Sequence, residues 1–179
     1  MWIYEKRLQY PVNIKETNPK LAQAIMSQYG GPDGETGASL RYLSQRYVMP
    51  YKEVCGVLTD IATEELGHME IVASIIVQLT RNLSMREIEE SGLLPYYTDH
   101  ALGVYPAAAN GTPFDAFAIA SKGDPITDLT EDMAADATTA KEQPATLPAS
   151  AASKYISGAK LVMPNLFSSA IMHLQNQIK

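Results

Sequence analysis

The sequence predicts an all-α bundle of helices with a polar group sealed in its core. Three observations carry this. Between Tyr51 and Arg81, residues Val54, Val57, Ile61, Glu65, His68, Val72, Ile75 and Leu79 recur at three- and four-residue steps, the spacing of one face of a long helix. Glu65 and His68 fall in the middle of that apolar face. A bare charge there neutralises or unfolds its surroundings unless something pairs with it. Pro50 leaves only a short connection to the helical segment before it, so the two helices are expected to run antiparallel.

The remaining elements follow in chain order. Residues 1–14 read as an aromatic-rich arm without helical period, in which Trp2, Tyr4 and Tyr10 are placed to lie across the body or a neighbouring subunit. Lys15–Tyr29 reads as helix, with Leu21, Ala24, Ile25 and Gln28 along one side. Gly30-Gly31-Pro32-Asp33-Gly34 interrupts it. No strand precedes these glycines and no Lys-Ser/Thr follows, so they read as a turn rather than a phosphate loop. The helical pattern resumes from Glu35 to Val48 with Ala38, Leu40, Tyr42, Leu43 and Tyr47. Glu35, near the start of this segment, is then carried towards the middle of the long helix.

Ser84-x-x-Glu87 is a capping box for a short helix ending near Gly92. Residues 93–124 form a long irregular loop with three tyrosines and turn signals at Asn110-Gly111 and Lys122-Gly123. A loop of this length in a compact domain is usually functional or holds subunits together. His100 lies in it and reads as a loop histidine rather than a ligand. Asp124-Pro125 starts another helix, with Ile126, Leu129, Met133 and Asp136 on one stripe. On this pattern alone, Asp136 is as well read as a helix-end carboxylate, or as a solvated neighbour of Asp132, as an inward one.

Beyond about Ala137 the composition changes. Only Glu142 of the 20 acidic residues follows Asp136, and residues 138–153 are rich in Thr, Ala, Ser and Pro. Pro144 and Pro148 forbid a continuous helix there. A final amphipathic segment is expected from Asn165 to Ile178, with His173 at the border of its apolar face.

The chemistry turns on Glu65-x-x-His68. Taken alone, such a pair is more often part of a solvated helix face. Its place on the apolar face, and the acidic Glu35 on the preceding segment, bring metal binding level with that reading. Partners three residues apart on one helical face are the ligand motif of dinuclear carboxylate sites in four-helix bundles.

Composition sets the bounds. A chain of 179 residues is expected to form one domain with a core large enough to fold alone. A net charge of -6 without a basic block argues against nucleic acid as a partner. The single Cys55 excludes an internal disulfide, packs as a small hydrophobe and fits a reducing compartment. The N-terminus shows no apolar signal core and no run reaches the roughly 20 apolar residues of a membrane span. The expectation is a cytoplasmic protein with no membrane partner.

Four stretches then carry a resemblance: YGGPDGETGASLRYLSQRY (29–47), DIATEELGHMEIVASIIVQLTRN (60–82), YYTDHALGVYP (96–106) and SKGDPITDL followed after Thr130 by EDMAAD (121–136). In order and spacing they resemble the manganese catalase family, most closely its spore-coat CotJC-type branch. The resemblance covers residues 1–137, about three quarters of the chain. It implies a ferritin-like four-helix bundle holding two manganese ions, although the ligands alone do not separate manganese from iron. It implies Glu35 as ligand to one metal, Glu65 as a bridging carboxylate and His68 as a terminal imidazole. Asp136 stands where the family has a second bridging glutamate, one methylene longer. Ser169 stands where the family has a histidine on its fourth helix, and the family pattern around that position is absent.

The expected organisation is therefore a ferritin-like domain over 1–137 and a divergent segment over 138–179, of the kind a shifted reading frame near residue 137 would produce. The implied activity is disproportionation of hydrogen peroxide, weakened by the altered C-terminus, with no separate catalytic residue assigned. The alternative is a non-catalytic structural protein of the spore coat, in which the tyrosine-rich arm and loop serve assembly with other coat proteins. The resemblance also implies a homo-oligomer in which residues 93–124 wrap a neighbouring subunit.

Overall fold

Asn18 and Pro19 start the first helix. The Asn18 side chain accepts the Leu21 N–H at 3.0 Å, and Pro19 occupies the first helical position, where a missing N–H costs nothing. The helix therefore begins four residues later than its periodicity alone predicts. The computed structural model of the chain describes residues 3–5, 7–31, 34–96, 107, 108, 114, 115, 117, 119 and 121–141, with side chains of the last helix described through Ala135. Among these residues there are five α-helices and no β-strand: α1 (Pro19–Gly30), α2 (Glu35–Gln45), α3 (Lys52–Thr80), α4 (Met85–Glu90) and α5 (Pro125–Lys141). A 3-10 turn spans Leu94–Tyr96. His100, Ser169, His173 and the expected C-terminal helix lie outside the described residues.

α3 is the axis of the molecule, and α1 and α2 both pack on it. α2 runs antiparallel to its first half. The end of α2 meets the start of α3, where Cys55 Sγ lies 3.2 Å from the Arg46 carbonyl oxygen, while the start of α2 meets the middle of α3 through Glu35. Along α3 the buried residues are Val54, Leu58, Ile61, Ala62, Glu65, His68, Ile71, Val72, Ile75, Ile76, Leu79 and Thr80. This is the expected stripe, with Leu58 in place of the half-buried Val57. Two apolar clusters divide that stripe. Val54, Leu58, Ile61 and Ala62 pack with Ala38 and Tyr42 of α2, Met49 and Leu129 of α5. Ile71, Val72, Ile75, Ile76 and Leu79 pack with Ala22, Ile25 and Met26 of α1, Ile88 of α4, and Leu83, Leu93 and Tyr96.

Two helix faces are turned from their expected positions. On α1 the buried residues are Ala22, Ile25, Met26, Gln28 and Gly30, and Ala24 is exposed. One methyl group carries too little apolar area to decide a face against Met26. α2 ends at Gln45, so Tyr47 lies in the turn beyond it, exposed, with the Arg46 guanidinium over its ring.

The N-terminal arm lies along the second half of α3. Tyr4 donates its hydroxyl to the Glu70 carboxylate. The Ile14 N–H donates to Gln78 Oε1 (2.8 Å), Gln78 Nε2 donates to the Val12 carbonyl (3.0 Å), and Arg81 donates to the carbonyls of Ile14 and Lys15. Leu8, Tyr10, Val12 and Ile14 thereby cover the second apolar cluster. The capping box of α4 is present in both halves: the Glu87 N–H reaches Ser84 Oγ and the Ser84 N–H reaches the Glu87 carboxylate. α5 starts as its sequence predicts, with the Asp124 carboxylate accepting the Thr127 N–H at 2.8 Å. No helix among the described residues is long and apolar enough to cross a membrane.

Candidate metal centre

The turn between α1 and α2 places Glu35. The Gly31 N–H donates to the Ser27 carbonyl at 2.8 Å, and the Gly34 N–H donates to the Gly31 carbonyl at 3.0 Å. A Cβ on Gly31 or on Gly34 would stand 2.5 Å from the Ser27 carbonyl oxygen, so neither position has room for a side chain. Thr36 then donates its hydroxyl to the Tyr29 carbonyl at 2.6 Å, tying the first turn of α2 to the last turn of α1. Glu35 is the first residue of α2, where the unpaired N–H groups of the helix end favour a charged carboxylate.

On α3, Glu65 and His68 are three residues apart and share the inward face. His68 Nδ1 lies 3.1 Å from Glu65 Oε2. Donor atoms of Glu35, Glu65 and His68 all lie within 4.8 Å of one another. All three residues are buried, at 2–3% exposure. Burial of two carboxylates and an imidazole at such separations is costly without a cation. Carboxylate oxygens with imidazole nitrogen form a donor set that suits manganese or iron. Along α3 the group also sits between the two apolar clusters.

The sequence brought forward four residues for this site. The structure places Glu35, Glu65 and His68 together. The backbone of Asp136 lies in α5, and its side chain is outside the described residues. Three further buried polar residues were not among the site residues read from the sequence. Asp132 is fully buried and accepts a hydrogen bond from Gln45 Nε2 at 3.2 Å, across α5 and α2. Arg41, one turn before Gln45, is buried as well. Asp128, also fully buried, accepts the N–H groups of Lys122 (2.6 Å) and Gly123 (3.0 Å) and so anchors the segment entering α5. The available signal was spacing: Asp132 follows the buried Leu129 by three residues, and Asp128 precedes Asp132 by four.

Fold and site together define a class: a helix bundle that encloses a carboxylate–imidazole group of the kind that holds metal. The chain belongs to the manganese-containing catalase family, whose model matches residues 1–147. The protein CotJC of Bacillus subtilis is 49% identical over 136 residues, which cover 76% of this chain and 71% of that protein. A probable manganese catalase of Clostridium acetobutylicum is 31% identical over 138 residues, covering 76% of this chain and 61% of that protein. Among solved structures, KatB, a manganese catalase from Anabaena, superposes with a TM-score of 0.84 at 26% identity, covering 98% of this chain and 81% of that one. These identities fit a CotJC-type branch of the family, and the fold is the helical one of the manganese catalases.

Proposed function

We propose that this chain binds manganese through Glu35, Glu65 and His68, with Asp136 of α5 as a further carboxylate, and acts on hydrogen peroxide as a catalase-like protein. The observation that carries the reading is the buried Glu35–Glu65–His68 group. Glu65, which the family resemblance implies as a bridging carboxylate, would hold the metal together with Glu35 of α2 and His68 on its own helix. Bound manganese, as a pair of ions, supplies the redox change by which two molecules of hydrogen peroxide become two of water and one of oxygen. The protein's own part is to hold the donors on α2, α3 and α5 and to bury Glu35, Glu65 and His68 between two apolar clusters.

Full turnover is not expected. Ser169 stands where the resemblance implies a histidine, and an aspartate stands where it implies a glutamate. A second ion then lacks part of its ligand set, and activity should be weak. In this reading the catalase-like domain is 1–137 and the divergent segment 138–179, although the family match itself runs to residue 147. Reading the gene in the alternative frame beyond codon 137 tests the frameshift origin, and finding no family-like helix there would sink it.

A second reading has its own support, the 49% identity to CotJC. In it, the bundle is a non-catalytic structural component of the spore coat, assembled as a homo-oligomer and with other coat proteins, and any metal is secondary to that packing role.

The deciding experiment is metal content per chain by elemental mass spectrometry, on protein expressed with manganese and iron both supplied, followed by oxygen evolution from peroxide. Two manganese ions per chain and measurable oxygen support the catalase-like reading. Metal without turnover favours the coat reading. Absence of bound metal overturns the site, and iron in preference to manganese overturns the choice of ion.

A further inference from the structure

His68 is flanked by two carboxylates, and only one of them belongs to the candidate metal group. Its Nδ1 lies 3.1 Å from Oε2 of Glu65, a member of the buried group. Its other nitrogen, Nε2, faces Glu64 Oε1 at 3.8 Å. The imidazole is nearly sealed, with 4% of its side chain exposed, whereas 42% of the Glu64 side chain is exposed. Residues 64 and 68 are one helical turn apart, so the backbone of α3 holds Glu64 beside the Nε2 edge of the ring. A histidine that ligates a metal through one nitrogen ordinarily gives the N–H of the other to a carboxylate, a carbonyl or water, which fixes the tautomer and the ring plane.

We propose that Glu64 is the positioning residue for His68. With a cation at the buried group, Nδ1 is the ligand atom and Nε2–H is held by the Glu64 carboxylate, drawn in by a change of side-chain rotamer. The inference rests on the proposed manganese-binding group. It adds a residue that touches neither metal nor substrate and acts only through the imidazole.

The test is manganese affinity of the full chain, measured by titration with free manganese, for Glu64→Ala, Glu64→Gln and the nearby surface control Asp60→Asn. Glu64→Ala is expected to weaken binding roughly 10- to 100-fold, the usual effect of removing such a partner. Glu64→Gln keeps an acceptor oxygen and should stay within about threefold of the unmodified chain, which a simple loss of charge would not allow. Asp60→Asn should bind as the unmodified chain does. The Tm of the metal-free protein should be unchanged in all three, because these side chains lie on the exposed side of α3. Unaltered affinity in Glu64→Ala, or equal weakening in Asp60→Asn, overturns the proposal. His68→Ala separates the two levels. If it abolishes binding while Glu64→Ala does not weaken it, the positioning role alone fails. If His68→Ala leaves affinity intact, the metal site fails and the role of Glu64 with it.

Discussion

The two halves of α3 are built to different ends. Residues 71–80 bury Ile71, Val72, Ile75, Ile76 and Leu79 against α1, α4 and the N-terminal arm, a core made of apolar contacts. Residues 54–68 begin the same way, with Val54, Leu58, Ile61 and Ala62, and then turn Glu65 and His68 inward towards Glu35. The first region gains stability from burial alone. The second gives some of it up to bury polar groups, and on the proposed reading would recover it when a cation binds. One helix would then carry the site in one half while its far half keeps the bundle folded.

The comparison breaks most visibly at Ile76, which is fully buried. Ile76→Ala should cost roughly 2–5 kcal/mol, the usual range for an aliphatic side chain cut to alanine in a core. Chemical denaturation with and without manganese checks it. The loss should be the same in both, because this half does not feel the metal. Next in size is the double variant Glu65→Leu with His68→Leu, which should act in the opposite direction. Replacing the buried carboxylate and imidazole together by apolar side chains should raise the stability of the metal-free protein by about 1–4 kcal/mol, whereas Glu65→Leu alone would leave His68 buried without the carboxylate 3.1 Å away. Bound metal and the stabilisation by added manganese should vanish together. A double variant that is less stable without metal than the unmodified chain would refute the idea that this half sacrifices stability for its site.

Gly34→Ala comes third. Its Cβ would press on the Ser27 carbonyl at 2.5 Å, so the turn must shift, at a cost on the order of 1–3 kcal/mol. Because Glu35 follows directly, manganese affinity should fall as well, whereas an equal destabilisation at Ile76 should leave it alone. Affinity titrations on the two variants compare these.

The smallest effect concerns the cap of α4, against which the apolar half packs through Ile88. Hydrogen bonds from the Ser84 hydroxyl and N–H hold the Glu87 carboxyl below the usual carboxylate range. A carboxyl lowered in the folded state adds stability above its unfolded value and loses it as pH falls through the folded one. Ser84→Ala should lower Tm at every pH, because the Glu87 N–H loses its acceptor, and by more at neutral pH than in acid below both values, where the bonds to the ionised carboxylate are already gone. A Tm series against pH measures the difference, and an effect that grows in acid would contradict it.

Much of this was legible in the sequence, and the reasons differ by element. The α3 stripe was visible because large apolar residues repeat over eight turns, and Glu65 and His68 stood out as interruptions of that repeat. The glycine turn was visible as a turn, but its contact with the Ser27 carbonyl was not, since that depends on how α1 ends. The burial of Arg41, Gln45, Asp128 and Asp132 was not visible at all. Polar side chains occupy both surfaces and cores, so periodicity alone does not assign them. What sends Asp132 inward is Gln45 on another helix, 87 positions away. The displaced face of α1 shows the same limit at smaller scale, since Ala24 weighs too little to define a direction.

The arm along α3 has a consequence during synthesis. Its clasps join Val12 and Ile14 to Gln78, and Ile14 to Arg81, across separations of 64–67 residues. A nascent chain thus carries Leu8, Tyr10, Val12 and Ile14 for the whole time needed to make α1, α2 and α3 before the residues that secure them exist. At ribosomal rates of about 5–20 residues per second, that interval is roughly 3–13 seconds, during which this apolar strip is open to whatever meets it first.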